Sequence, residues 1–425
     1  MTQDKTSRPT WVPLHTDTRA ASSTSYAPLI DGFFAPGYER VVETFVSNFS
    51  RGELGASFCL IADGYRVVDI WGGDISAGGD SWDSDTLSIF YSCSKIITAI
   101  VIHRLVETGE LKLDEPLSAI WPELKAGQVG GTLRMALSHT LGLPALERKL
   151  KDGAYNDHDY MKAQLEQQEP LWPPGTRVGY HPLTYGFILG ELVRRVTGTT
   201  LGRYFQEHFA NALGLDLYIG LPSTEYGRYA PSRGYRMERE DPRKHVALAS
   251  QIIGSVQNLW LFNAGRWKLD TINSFEGLNA EIPAANGVGN ARSLAALLAI
   301  FLDRKQLESV GLSEDSAALL ETVASATQRD ATLLARSRFS SGLMLSTDNR
   351  DDLGADSFII GRRAFGHVGM GGSFGFCDRE LGISAAYVMN QQGHGILLNE
   401  RGQGLIDACY ECAGFSQIRA GAWHP

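Results

Sequence analysis

The chain has 425 residues, 43% of them hydrophobic and 20% charged, which suffices for a large buried core or for one core with a sizeable inserted lobe. Its formal net charge of -9, without any basic run, gives no electrostatic attraction to nucleic acid or anionic membranes. It has no apolar stretch long enough to span a membrane, no apolar secretory core near its start, and only five scattered cysteines. We therefore expect a soluble, cytoplasmic protein that binds neither nucleic acid nor membrane.

The first predicted elements are a helix and a hairpin that follow a polar arm. Residues 1–28 are assigned to the arm, whose first part is rich in Thr and Ser. A helix is predicted from about residue 37 to 51, because its apolar residues fall on one side. Two strands, 56–62 and 66–71, follow and are joined by a tight Asp-Gly turn.

The rest of the chain changes from a long helical region back to strands. A strongly apolar segment at 94–107 predicts a buried helix, and helical patterns with loops dominate residues 111–319. The later predicted elements are strands at 341–346, 364–368, 373–377 and 383–388 and a helix at 401–413. We predict a mixed α/β fold, with one sheet subdomain from residues 29–110 and 320–425 and an inserted, mostly helical subdomain from 111–319.

One segment of this helical region, residues 259–275, carries four aromatic side chains among polar residues. They are Trp260, Phe262, Trp267 and Phe275. Two interpretations stay open: the aromatic residues line an apolar pocket, or they are the ordinary packing of a helical lobe.

Ser92 is the candidate nucleophile because of its sequence context. The tetrapeptide Ser92–Lys95 has the pattern Ser-x-x-Lys, which occurs once in this chain and is a weak signal alone. It lies where the apolar helix begins, and free N–H groups there favour developing negative charge. Residues three apart share a helix face, so Lys95 can lie beside the Ser92 hydroxyl, and apolar surroundings lower the proton affinity of a lysine. A helix cap with a solvent-facing lysine fits poorly, because apolar residues follow Lys95.

Two later segments carry further candidate residues. Tyr180 follows a turn signal and precedes an apolar helix, so its phenol could face a cleft, although a buried structural tyrosine is the better interpretation when it is taken alone. Residues 366–372 read Gly-His-Val-Gly-Met-Gly-Gly. Such a backbone can approach a ligand closely, and an exposed N–H at its edge is a good oxyanion donor.

Two other serines compete with Ser92, and both are expected to be structural. Ser94 stands directly before Lys95, so its side chain points elsewhere on the helix. Ser373 lies in a Gly-x-Ser-x-Gly pattern, but the nucleophile elbow of α/β-hydrolases needs a helix after the serine, and a strand is predicted there. The sequence has no metal-ligand cluster and no nucleotide fingerprint, so neither metal nor cofactor is expected.

Taken in chain order, the Ser92–Lys95 tetrapeptide, Tyr180 and the His-Val-Gly segment at His367 resemble the motifs of the serine β-lactamase and penicillin-binding-protein superfamily. The sequence looks most like the carboxylesterases with a class C β-lactamase fold, known as family VIII esterases. Further matches are Leu-Ser-His-Thr-Leu-Gly-Leu-Pro at 137–144, Pro-Pro-Gly-Thr at 173–176 and Tyr-Gly at 185–186. The resemblance covers roughly residues 40–395 and implies an antiparallel sheet flanked by helices.

The resemblance also implies an acyl-enzyme route. Ser92 would attack a carbonyl carbon, while Lys95 and Tyr180 would share the general base and acid work in an order that the sequence leaves open. The N–H groups of Ser92 and Met370 would form the oxyanion hole, and water would then hydrolyse the acyl-enzyme. The substrate-binding residues implied are His367, Gly369 and Met370.

Two departures from the class C β-lactamase pattern bear on the substrate. Pro182 stands where those enzymes have the Asn of Tyr-x-Asn, and His367 begins His-Val-Gly where they have Lys-Thr-Gly. The first change removes an amide that would hold a β-lactam side chain. The second removes a fixed positive charge, since histidine is mostly neutral at pH 7. Both changes favour a small-molecule ester with an uncharged acyl group.

Several alternatives stay open. The same scaffold could be an acyltransferase or amidase, or a weak β-lactamase or D-peptidase. A non-catalytic binding protein is disfavoured because Ser92, Lys95 and Tyr180 are all present. The oligomeric state is open, and a homodimer is one alternative.

Overall fold

The computed structural model describes residues 10–17, 28–235, 245–263, 268–352, 356–418 and 422–424. The strands are β1 (Val12–Asp17), β2 (Leu29–Phe34), β3 (Gly55–Ala62), β4 (Tyr65–Gly73), β5 (Ser88–Ile89), β6 (Leu217–Ile219), β7 (Gly287–Gly289), β8 (Ser325–Thr327), β9 (Ser337–Phe339), β10 (Met344–Leu345), β11 (Phe365–Val368), β12 (Phe374–Asp378), β13 (Ile383–Met389), β14 (Ser416–Ile418) and β15 (Ala422–His424). The helices are α1 (Glu39–Phe49), α2 (Ser94–Glu107), α3 (Lys125–Gln128), α4 (Leu133–Leu137), α5 (His158–Gln167), α6 (Thr184–Thr197), α7 (Leu201–Phe205), α8 (Asn211–Leu213), α9 (His245–Ala249), α10 (Val256–Phe262), α11 (Leu269–Ile272), α12 (Phe275–Asn279), α13 (Ala291–Ala299), α14 (Arg304–Ser309), α15 (Glu314–Glu321) and α16 (Glu400–Cys412).

One antiparallel sheet of ten strands organises the molecule. Its order is β1-β2-β4-β3-β13-β12-β11-β10-β9-β8, so strands from the two ends of the chain meet at the β3–β13 pair. The register runs from Ala56 opposite Met389 to Ala62 opposite Ile383. The predicted mixed fold, with a sheet built from both ends of the chain, is confirmed. The predicted division into subdomains stays a prediction.

Helices cover both faces of the sheet at this central pair. All eight residues of β3 are buried, which accounts for its nearly unbroken apolar sequence. On one face α1 packs against α16, and the apolar stripe of α1 places Phe45 against Tyr387 of β13. On the other face α13 lies against β3, β12 and β13. Burial of each large apolar side chain here stabilises the fold by about 1.5–3 kcal/mol.

The start of the chain differs from its prediction as a loose arm. Residues 12–17 form β1, which pairs with β2 at the edge of the large sheet. The pattern Val-Pro-Leu-His-Thr-Asp gives little strand signal, because the segment is mostly exposed and is held by backbone pairing. Trp11 adds an edge contact to Phe33 and a hydrogen bond from its indole N–H to the Arg66 carbonyl. Residues 1–9 and 18–27 of the predicted arm lie outside the described residues.

Helix α2 is a buried helix that packs against other helices of the molecule. Eleven of its fourteen residues are buried, and it contacts α6 and α7. It begins directly after a short 3₁₀ turn at Tyr91–Cys93, which follows β5. Residue 92 therefore lies on the turn directly before α2, and this turn also contacts β11. Within the described residues no helix is both long and apolar enough to cross a membrane.

Candidate active site

Ser92 lies on the 3₁₀ turn that leads into α2 and is half-buried. The residue before it, Tyr91, has φ +48°, a left-handed backbone conformation that is costly for a bulky residue. The turn is fixed by Ser94, whose hydroxyl donates to the Tyr91 carbonyl and accepts a 2.7 Å bond from the Gly287 N–H. Ser94 therefore holds the turn against β7, and the strained backbone presents the Ser92 hydroxyl to the cleft.

Lys95 is completely buried one helical turn after Ser92. Its Nζ lies 2.9 Å from the carbonyl oxygen of Pro182, 2.9 Å from that of Ala284, and 3.4 Å from Ser92 Oγ. The segment that supplies Ala284 reaches α2 because Gly186 of α6 has no side chain; a Cβ there would lie 2.4 Å from the Ala284 nitrogen. Two backbone carbonyls and the serine hydroxyl thus surround the amine.

Lys95 Nζ donates to the two carbonyl oxygens and makes a longer contact with Ser92 Oγ, in which the amine is again the donor. A neutral amine would keep two N–H donors for the carbonyl oxygens and turn its lone pair towards Ser92. Burial favours this form, because desolvation holds the pKa of Lys95 well below its ordinary value. The geometry is that of a base set to receive the serine proton.

Tyr180 lines the same cleft as Ser92. It is 3% exposed, and its ring centroid lies 4.7 Å from Lys95 Nζ. Burial raises the pKa of Tyr180 far above its usual value, and the interaction with the Ser92 hydroxyl only partly opposes this shift. The structure therefore brings Ser92, Lys95 and Tyr180 together, with the phenol held protonated.

Asp330 fixes the backbone of Tyr180 and is a residue that the sequence did not indicate. Its carboxylate is fully buried and accepts the Tyr180 N–H at 3.0 and 3.1 Å. It also accepts the N–H groups of Thr332 and Leu333 and the hydroxyl of Ser337. These donors compensate for the cost of burying a carboxylate, although desolvation still raises its pKa. No local pattern could reveal Asp330, because its partner lies 150 residues earlier in the chain.

The end of β11 approaches the Ser92 turn closely. A Cβ on Gly369 would lie 2.3 Å from the Phe90 carbonyl oxygen and 2.3 Å from Ser373 Oγ, so only glycine fits there. The neighbouring Met370 is half-buried and lines the cleft beside Ser92. Ser92 and Met370 both border the cleft, and no backbone carbonyl in the described part of the chain accepts from either N–H.

His367 lies behind the cleft instead of lining it. The ring is fully buried, its Nδ1 bonds to the Val368 carbonyl at 2.8 Å, and its Nε2 has no hydrogen-bond partner. Desolvation lowers the pKa of His367 to about 3, so it carries no charge at neutral pH. Contact between His367 and substrate stays a prediction.

Two further histidines surround Tyr180. The His139 ring lies 4.8 Å from that of Tyr180, and its Nδ1 accepts the His181 N–H at 3.1 Å. His181 Nε2 in turn accepts the Leu143 N–H at 3.0 Å, and burial lowers the pKa of His181 to about 3. The His139 pKa is also far below its ordinary value, mainly by burial. Both imidazoles are therefore neutral and help to hold the segment that carries Tyr180.

Ser373 occupies a different environment. It is completely buried, its hydroxyl donates to the Phe90 carbonyl at 3.2 Å, and the strand β12 follows it immediately. The strand–turn–helix geometry of a nucleophile elbow is therefore absent around this residue.

The family model for beta-lactamases matches residues 37–402, most of the chain, and the chain belongs to this family. Among curated proteins it is similar to the esterase/beta-lactamase LipL of Mycobacterium tuberculosis, with 31% identity over 375 residues that cover 84% of this chain and 82% of LipL. The resemblance inferred from the sequence motifs is confirmed.

Solved structures agree with this assignment. A family VIII carboxylesterase is 33% identical, with a TM-score of 0.77, and the match covers 90% of this chain and 99% of that one. A penicillin-binding protein homologue from Caulobacter crescentus is also 33% identical, with a TM-score of 0.75 and the same two coverages. The chain thus has the β-lactamase-like fold, and esterases are among its relatives.

Proposed function

We propose that this chain is a serine carboxylesterase that cleaves small, uncharged esters through an acyl-enzyme on Ser92. The observation that carries the proposal is the position of the Ser92 hydroxyl, which lies 3.4 Å from the buried Lys95 amine and in the same cleft as the buried Tyr180. Esterases among the relatives support the same reaction.

In the proposed mechanism Ser92 Oγ attacks the ester carbonyl carbon while Lys95 Nζ takes the hydroxyl proton. The N–H groups of Ser92 and Met370 stabilise the oxyanion that forms. Collapse of this intermediate breaks the bond to the leaving oxygen, which receives a proton from Tyr180, and Tyr180 regains one from Lys95. Water then attacks the acyl-enzyme by the reverse proton path, which releases the acid and restores Ser92. The low pKa of Lys95 and the high pKa of Tyr180 favour this order of base and acid.

An uncharged substrate follows from the groups around the nucleophile. The described residues that line the cleft include no Arg, Lys or carboxylate side chain. His367 is neutral, and Pro182 offers a carbonyl that Lys95 already occupies. A β-lactam carboxylate would therefore meet no fixed positive partner, and nitrocefin hydrolysis is expected to be weak compared with ester hydrolysis.

The test is labelling with a fluorophosphonate ester, followed by mass spectrometry of the labelled peptide. We expect the label on Ser92, and loss of both labelling and p-nitrophenyl acetate hydrolysis in Ser92→Ala. Ser373→Ala serves as the matched control, and this variant should still be labelled on Ser92. A label on Ser373, or a fully active Ser92→Ala variant, would exclude the proposal.

A further inference from the structure

An apolar pocket of about 230 Å³ adjoins the Ser92 cleft. Its walls come from α9, from α10 and from the loop that follows β13. Trp260, Met370, Ile396 and Leu397 line both this pocket and the cleft, so the two spaces share a wall. The side chains found only in the pocket include Val246, Ala247, Leu261, Leu333 and Ala335.

We propose that this pocket binds an alkyl chain of the ester, longer than an acetyl group, on either its acyl or its alkoxy side. This inference rests on the proposed esterase activity of Ser92 and adds a substrate class to it. Of the aromatic residues in segment 259–275, Trp260 lines the pocket, whereas Phe262 is 63% exposed and Phe275 is 56% exposed, so neither interpretation holds for the whole segment. Trp267 lies outside the described residues.

The polar groups of the pocket support an uncharged occupant. Asp356 is the charged side chain among the described lining residues, and its carboxylate accepts the Ile396 N–H at 2.8 Å and the Leu397 N–H at 3.2 Å. One oxygen of this carboxylate is therefore bound to the backbone of the pocket wall. An alkyl chain needs no hydrogen-bond partner, and its transfer from water into such a site is favourable in proportion to the area buried.

The experiment compares two ester series on the wild-type protein. In one, p-nitrophenyl esters carry acyl chains from acetate to octanoate; in the other, alkyl acetates carry alkoxy chains from methyl to octyl. We expect kcat/KM to rise by about fourfold for each methylene that enters the pocket, in one of the two series. The series that shows the rise identifies which side of the ester the pocket holds.

Ala247→Phe tests the location, because a phenyl ring at this position fills the pocket. The octanoate-to-acetate ratio, or the octyl-to-methyl ratio in the other series, should fall at least tenfold. A ratio of two substrates on one variant is insensitive to partial misfolding. The matched control is Leu248→Phe on the adjacent, outward-facing position, where the side chain is 56% exposed; it should keep the wild-type ratio.

The outcomes separate the two proposals. Ser92-dependent acetate turnover without a chain-length rise in either series would overturn the pocket and leave the esterase intact. A rise that Ala247→Phe does not reduce would also overturn the pocket. Failure of every ester to turn over in a Ser92-dependent way would exclude the esterase itself.

Discussion

The turn that carries Ser92 and the wall formed by α9 and α10 are built in opposite ways, although they border adjoining spaces. Around the turn, Lys95 is fully buried and bonded to two carbonyls, and Ser94 bonds to strand β7. In the loop that joins the two helices of the wall, Ile252 is 65% exposed and Ile253 is 92% exposed. Proton transfer needs atoms fixed within a fraction of an ångström, whereas an alkyl chain needs only volume and apolar area. The difference indicates that the chemistry tolerates little change and that substrate preference tolerates much.

The largest expected effect is at Lys95. Lys95→Met keeps the length and apolar stem of the side chain but removes the base, so kcat/KM for p-nitrophenyl acetate should fall at least about 10³-fold. Lys112→Met, on an exposed side chain, is the control and should hydrolyse the ester at the wild-type rate. A Lys95→Met variant that keeps a tenth of the activity would show that the turn does not need its buried amine.

A smaller effect is expected from Asp330, which acts through Tyr180. In Asp330→Asn the amide cannot accept all the N–H groups that the carboxylate holds, so Tyr180 shifts and kcat should fall by about 10- to 100-fold with little change in KM. Ser337→Ala removes a single donor to the same carboxylate and should cost less.

A double-mutant cycle decides whether this effect passes through the phenol. In a Tyr180→Phe background, Asp330→Asn should reduce kcat only slightly further. Equal losses in both backgrounds would mean that Asp330 supports the fold in general and does not position Tyr180.

The neutral histidines around Tyr180 predict acid sensitivity of the fold. His181 and His367 stay neutral in the native protein down to about pH 3, whereas in the unfolded chain they take up protons below about pH 6.5. Between these values the unfolded state binds more protons, so the free energy of unfolding falls as pH falls, by on the order of 1 kcal/mol per pH unit for each histidine. His367→Gln should make this slope shallower in urea unfolding measured from pH 6 to pH 4. An unchanged slope would contradict the low pKa of His367 in the native protein.

The smallest effect is expected on the outer face of the wall. Phe262 is 63% exposed, so Phe262→Ser should change the free energy of unfolding by no more than about 0.5 kcal/mol and leave kcat/KM for short esters unchanged. Thermal unfolding and p-nitrophenyl acetate turnover measure both quantities. A large loss in either would mean that the wall is as constrained as the turn.

Local signals predicted much of the core of this molecule. The sequence predicted helix α2 at residues 94–107, where the structure has it, because the segment after Lys95 is strongly apolar. The hairpin of β3 and β4 was also predicted, from strand patterns on both sides of a tight turn. Motif order then pointed to Ser92, Lys95 and Tyr180, which lie close together in the structure, and also to His367, which lies behind the cleft.

The parts that were not predicted depend on contacts between distant segments. The Ala284 carbonyl that holds Lys95 is a backbone atom, which every residue carries, so no side-chain pattern marks it. Nothing in the local sequence distinguishes Asp330 from an exposed acidic loop residue, because its burial and its contact with Tyr180 depend on the tertiary fold. The edge strand β1 likewise exists through its pairing with β2 and has little signal of its own.

The pairing of β3 with β13 has a consequence for the order of events during biosynthesis. Ala56 and Met389 are neighbours in the sheet but are separated by most of the chain, so the ribosome must make β13 before the central pair can form. Until then β3 exposes an unpaired edge, and the Ser92 turn has no β11 backbone beside it. Folding with so many non-local contacts is slow, and chaperones that shield strand edges should raise the yield of active protein.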